Sequence, residues 1–195
     1  MRCLCIDFVD FMPHNSKGAF LYDSIMPKIE RFKTRHLLKK REQRAELERI
    51  ERDLGTQITG IGPDTLFEEG ITDDRSRVLL LNGTIVFFEL EGKLFPTLRA
   101  LLDGIVKIPQ VVVDMGAVKY VTKGADIMRP GIRSVQDGIL KGSVVVIVDE
   151  RYAKPQAVGI STMSSEGLRA ASSGKVVISK HHIGDDLWEF GKTVE

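Results

Sequence analysis

Cysteine is almost missing from this chain of 195 residues: Cys3 and Cys5 stand alone near its start. Two thiols cannot fill a four-ligand zinc site, and a single intervening residue makes a strained disulfide loop, so neither scaffold is expected. Long apolar runs are missing too. No stretch approaches the roughly 18 apolar residues that a membrane helix needs, since Asn82-Gly83 and Asp149-Glu150 break the longest candidates. Asp7 and Asp10 likewise interrupt the short hydrophobic run at the start, which therefore lacks the layout of a secretory signal. A cytoplasmic protein with no membrane partner is the expectation. Catalytic signatures are equally scarce. Gly60-Ile61-Gly62 lacks the third glycine of a dinucleotide loop and the Gly-Lys-Ser/Thr of a P-loop. Ser161, Ser164 and Ser165 have no glycine-flanked elbow. His181-His182 has no cysteine or clustered carboxylate at ligand spacing. No catalytic set, metal or cofactor is expected.

The composition that remains is that of a globular protein, 43% hydrophobic and 28% charged. A net charge of +1 hides an uneven distribution. Residues 26–54 carry ten Lys/Arg against six Asp/Glu, whereas residues 55–109 carry five against eight. An electrostatic partner should meet the basic block first.

Residues 1–27 are punctuated by Pro13, Asn15, Gly18 and Pro27 and keep no period, so they read as a poorly ordered extension. Met26 stands just before the first patterned segment, and a natural start there is the alternative. From Thr34, an acceptable N-cap, apolar residues recur at helical spacing through Leu54, and Gly55 stands where a C-cap glycine belongs. The pattern predicts a helix over 34–54 with a basic first half. Arg35, Lys39, Lys40, Arg41 and Arg44 form a face that either is solvated or docks on phosphate. A strand is predicted at Ile58–Ile61, a helical turn at Pro63–Glu69 closed by Gly70, and a hairpin at Arg77–Leu90 around a type I′ Asn82-Gly83 turn. A short helix after Pro96 ends at Gly104, and Pro109 marks a boundary.

Beyond it, Val111–Val113 reads as a strand, and Asp114 as the cap of a short helix that Gly124 stops. Ile127-Met128 starts a strand turned by Pro130-Gly131. Further strands are predicted at Ser143–Val148, Ala157–Met163, Lys175–Ser179 and Leu187–Phe190, with a helical turn at Ser164–Ala171. Lys119, Lys123, Arg129 and Arg133 place charge around glycine-shaped bends, where phosphates can be met. Tyr120 either stacks on an unpaired base or is a half-buried helix residue.

The run Val113-Asp114-Met115-Gly116-Ala117, followed by Lys123-Gly124-Ala125-Asp126-Ile127-Met128-Arg129-Pro130-Gly131, resembles the opening signature of a PUA domain. That is an RNA-binding module named after pseudouridine synthases and archaeosine transglycosylases. Ala157-Val158-Gly159 and the segment from His182 to Trp188 fit its later strands. Phe87-Phe88 with Phe95-Pro96-Thr97-Leu98-Arg99 is similar to the module preceding the PUA domain in the malignant T-cell-amplified-sequence proteins and ligatin, translation factors of the small ribosomal subunit. The resemblance covers about residues 30–190 and implies an α+β fold. A pre-PUA α/β module over 28–109 would precede a small mixed β-barrel, the PUA-like pseudobarrel, over 110–192. It further implies a non-enzymatic, archaeal-type RNA-binding protein that contacts the small ribosomal subunit and tRNA or rRNA beside a density-regulated-protein-like partner. The alternative is an RNA-targeting subunit for a tRNA- or rRNA-modifying enzyme. Carried over residue by residue, the RNA surface falls on Gly116, Ala117, Lys119, Tyr120, Lys123, Gly124, Ala125 and Arg129, with Arg133 as added charge.

Overall fold

The first patterned segment folds as a strand before it becomes a helix. In the computed structural model, which describes residues 29–62 and 64–194, β1 runs Phe32–Leu37 and α1 starts only at Lys40, ending at Leu54. Thr34 is therefore a strand residue and not a cap. The Glu42 carboxylate accepts the Lys39 amide at 2.7 Å, and Gly55 closes α1 at φ 65°. β1 carries no strand pattern in the sequence because it is an edge strand with five of its six residues exposed, so no alternation marks it. Its partner β2, Phe67–Thr72, replaces the predicted helical turn, and Ile58–Ile61 forms no strand. Gly70 does not stop a helix. It makes room in mid-strand for the Phe32 ring, whose carbons lie 2.7 and 2.8 Å from where a Cβ would stand.

β3 (Arg77–Leu81) and β4 (Thr84–Leu90) form the predicted hairpin, with Asn82 and Gly83 both at positive φ as a type I′ turn requires. β5 (Lys93–Pro96) completes an antiparallel sheet in chain order. Thr97 caps α2 (Leu98–Leu102), its hydroxyl accepting the Ala100 amide and donating to the Ile85 carbonyl.

The second sheet takes the order β7-β11-β10-β9-β6-β8. Its strands are β6 (Gln110–Val113), β7 (Ile127–Met128), β8 (Ile132–Val135), β9 (Val144–Asp149), β10 (Pro155–Ser161) and β11 (Lys175–His182). Only β6 and β9 pair in parallel, and the sheet curls into a small pseudobarrel. α3 (Met115–Val121) and α4 (Ser165–Ala170) sit against it. Leu187–Phe190 is not a strand: it lies within α5 (Asp186–Thr193), capped by Asp185 and burying Phe190. Leu187 and Phe190 stand three apart, a helical spacing that so short a run, apolar but for Glu189, disguises as a strand.

β9 is buried along its whole length because it is shared by two cores. Val145 and Ile147 point into the pseudobarrel, while Val144, Val146 and Val148 join the cluster built from Phe87, Phe95, Leu79 and Ile50. Alternation along one strand thus serves both modules. α5 belongs to the shared cluster, with Phe190 edge-on to Phe32 at 5.0 Å between ring centroids. Among the described residues, no helix is long and apolar enough to cross a membrane. Cys3, Cys5 and the extension expected over residues 1–27 lie outside the described residues.

Candidate nucleic-acid interface

Asp114 fixes the site by local chemistry. Its carboxylate accepts the Ala117 amide at 2.8 Å and starts α3 directly after β6 ends. Val121 is buried, Ala117 and Val118 pack on the pseudobarrel core, and the outer side of α3 faces β7 across an open groove of about 460 Å³. Tyr120, 58% exposed, stands on one wall; Met128, 50% exposed, belongs to β7 on the other. Pro130-Gly131 lies in a 3-10 turn at the groove. A Cβ on Gly131 would stand 2.9 Å from that of Ala117, and one on Gly116 would stand 3.1 Å from an Asp114 oxygen. Both glycines line the groove at positions where a side chain would be crowded.

Of the residues named from sequence, Gly116, Ala117, Tyr120 and Ala125 line this groove. Lys119 and Lys123 are exposed beside it, on α3 and the turn that follows. Neither pairs with a carboxylate among the described residues, and the Lys119 ammonium lies 5.0 Å from the Tyr120 ring centroid. Three others play different parts. Gly124 holds φ 80°, and a Cβ there would stand 2.7 Å from the His182 Nε2. Arg129 is half-buried and donates to the carbonyls of Ile132 and Arg169, both at 3.3 Å. Arg133 pairs with Asp114 at 3.5 Å and Glu150 at 3.3 Å. Sequence reasoning missed Met128 as a groove wall and Asp126 as its polar element. Asp126 accepts the Ser179 amide and pairs with Lys175 at 2.6 Å.

Two family models match successive stretches of the chain. A model described as the PUA domain matches residues 109–183, and one described as a domain of unknown function (DUF1947) matches residues 34–103. An uncharacterized protein of Methanocaldococcus jannaschii is 38% identical over 123 residues, covering 63% of this chain and 75% of the relative. Translation machinery-associated protein 20 of Saccharomyces cerevisiae is 33% identical over 124 residues, 60% of this chain and 68% of the relative. The chain belongs to this family of PUA-domain proteins. A PUA domain of Aeropyrum pernix K1, solved as a tartrate complex, superposes with a TM-score of 0.72 at 28% identity. That likeness covers 82% of this chain and 91% of the other.

In this PUA protein the second basic surface differs from the predicted one. Arg35 lies on β1 and forms a two-pronged pair with Glu68, at 3.0 and 2.7 Å, so it is not part of the helix face. The hydrogen bond to Glu68 outweighs burial and raises its pKa above the ordinary value. Arg44 pairs with Glu48 at 3.0 Å on the exposed side of α1. Lys39, Lys40 and Arg41 remain exposed and without a carboxylate partner among the described residues. The opposite face of α1 is tied down. Glu46 binds Arg77 at 2.7 Å, Arg49 binds Glu89 at 2.9 Å, and Arg77 also reaches Glu89 at 3.0 Å. Burial opposes the charge on Arg77, but its carboxylate partners prevail and raise its pKa.

Proposed function

We propose that this protein is a non-enzymatic RNA-binding factor of the translation apparatus, holding an unpaired base in the α3 groove. The observation that carries the reading is the pairing of an apolar slot, walled by Tyr120 and Met128, with the unneutralised charges of Lys119 and Lys123 beside it. An aromatic face stacks on a base without regard to its identity, while flanking lysines meet phosphates. The lining of the slot holds no lysine or arginine to meet a phosphate, so the base enters and the backbone stays on the lysine side. The names of the yeast and rat relatives, the latter malignant T-cell-amplified sequence 1 at 35% identity over 115 residues, favour translation as the setting. Lys39, Lys40 and Arg41, on the N-terminal module, are the second contact, and docking on the small ribosomal subunit suits their exposed positive charge.

Co-sedimentation with ribosomal subunits tests this. Retention on free small subunits, lost when Lys39, Lys40 and Arg41 are all changed to glutamate, is the expected result. Recovery solely with an RNA-modifying enzyme would contradict it.

A further inference from the structure

The turn between β9 and β10 carries features that the α3 groove does not use. Asp149, 3% exposed, collects the amides of Arg151, Tyr152 and Lys154 at 3.0, 2.6 and 3.1 Å, together with the Gln156 side chain at 3.2 Å. Burial alone would push this carboxyl upward, yet those four donors hold it below its ordinary value. They fix the turn as a rigid platform. On it Tyr152 stands 67% exposed, with the Arg151 guanidinium 6.0 Å from its ring centroid. Arg151 and Lys154 have no carboxylate partner among the described residues, whereas Glu150 is engaged by Arg133 and the Met115 amide.

Immediately beside this platform, a second groove of about 540 Å³ runs between the modules. Its chemistry is unlike that of the α3 groove, because its lining holds Lys107, Lys154, Gln110 and Gln136 but no carboxylate. The Gln136 side-chain oxygen accepts the Gln110 backbone amide at 3.0 Å, which leaves its amide nitrogen to donate outward. Two cations, an outward amide donor and an adjacent exposed aromatic suit a single-stranded polyanion with hydrogen-bonding bases. Lysine is depleted in protein interfaces, so a protein partner fits this lining less well. β6 and β9 run parallel and finish at the same end of the sheet, where Asp149 stands beside Val113 and α3 begins two residues later.

We infer that the inter-module groove and Tyr152 form a second single-stranded RNA subsite, continuous with the α3 groove around the end of β6 and β9. A strand leaving the base slot passes the start of α3, stacks a base on Tyr152, and lays its phosphates along Lys154 and Lys107. This rests on the RNA-binding reading above, and the two can fail separately.

The test uses the full chain and oligouridylates of about 5 and about 15 nucleotides, bracketing common single-strand site sizes, titrated by fluorescence anisotropy. Tyr152→Ala should weaken the longer probe by roughly 5- to 150-fold, the span that loss of one stacked base produces, and leave the shorter unchanged. Tyr152→Phe should retain wild-type binding. Lys107→Ala with Lys154→Ala should lower the salt slope for the longer probe by about 1.4, two phosphate contacts on a single strand. Unchanged binding of the longer probe by Tyr152→Ala overturns the subsite alone. Equal loss for both lengths also overturns it, since the turn would then act by disturbing α3. Failure of the unaltered protein to bind either probe overturns the RNA reading and this inference with it.

Discussion

Gly124 shows how a single residue with a motif position can serve the fold. Its φ of 80° and the 2.7 Å approach of its missing Cβ to His182 leave no room for a side chain. Gly124→Ala should cost about 1–2 kcal/mol for the left-handed backbone alone, plus a steric share that His182→Ala relieves. Urea unfolding of the single and double variants measures both, and additive losses would contradict the clash. Asp185 is a second residue with a structural task. It caps α5 by accepting the Trp188 amide at 2.8 Å and holds the buried His181 at 2.7 Å. Burial pushes its pKa up, but the His181 hydrogen bond and charge, with the Trp188 and His182 amides, bring it below the ordinary value. A value lower in the folded than in the unfolded state means stability that is present above pH of about 4 and lost as pH falls through the folded value. Asp185→Asn should therefore lower the melting temperature at pH 7, with the gap narrowing at about pH 3. A gap of equal size at both pH values would contradict this.

Among the elements, α1 depends on the ion cluster beneath it. Arg77 is 21% exposed on its side chain and is shared by Glu46, Glu69 and Glu89. Arg77→Ala strips Glu69 of its ion-pair partner and leaves Glu46 and Glu89 to Arg49 alone, and should cost roughly 3 kcal/mol, the lower end for a broken buried pair. Chemical denaturation checks the figure, and a loss under about 1 kcal/mol would show that the cluster is solvent-screened. The same region shows where sequence reading stops. α1 itself was legible from Leu47, Ile50 and Leu54, and so was Gly55 as its stop. β1 was not, because an exposed edge strand of mixed charge has neither period, and its identity comes from pairing with β2 across more than thirty residues. α3 and its groove were legible in outline, since Asp114, Gly116 and Gly131 are local signals. The inward turn of Arg129 and the pairing of Arg133 were not, because their acceptors are the Arg169 carbonyl and Glu150, distant in the chain.

At the scale of the whole molecule, the two modules are joined through the cluster on one face of β9 and should not behave as beads on a string. Val144, Val146 and Val148 face the N-terminal sheet, and Phe190 fills the seam against Phe32. Far-ultraviolet circular dichroism and the fluorescence of the single tryptophan, Trp188, should report one coincident unfolding transition. Phe190→Ala should destabilise both modules together by about 3–5 kcal/mol. Separate transitions would contradict a common core. The shared cluster ties the module that carries α3 to the one that carries α1, and under the proposed function one RNA assembly would engage both the α3 groove and the Lys39–Arg41 end of α1. The most direct test of the RNA-binding claim is a salt titration of RNA affinity for the unaltered protein and for Lys119→Ala with Lys123→Ala. Loss of affinity with a slope of log affinity against log salt smaller by about 1.4 to 1.8 is predicted. Unchanged affinity and slope would remove the α3 groove from RNA binding.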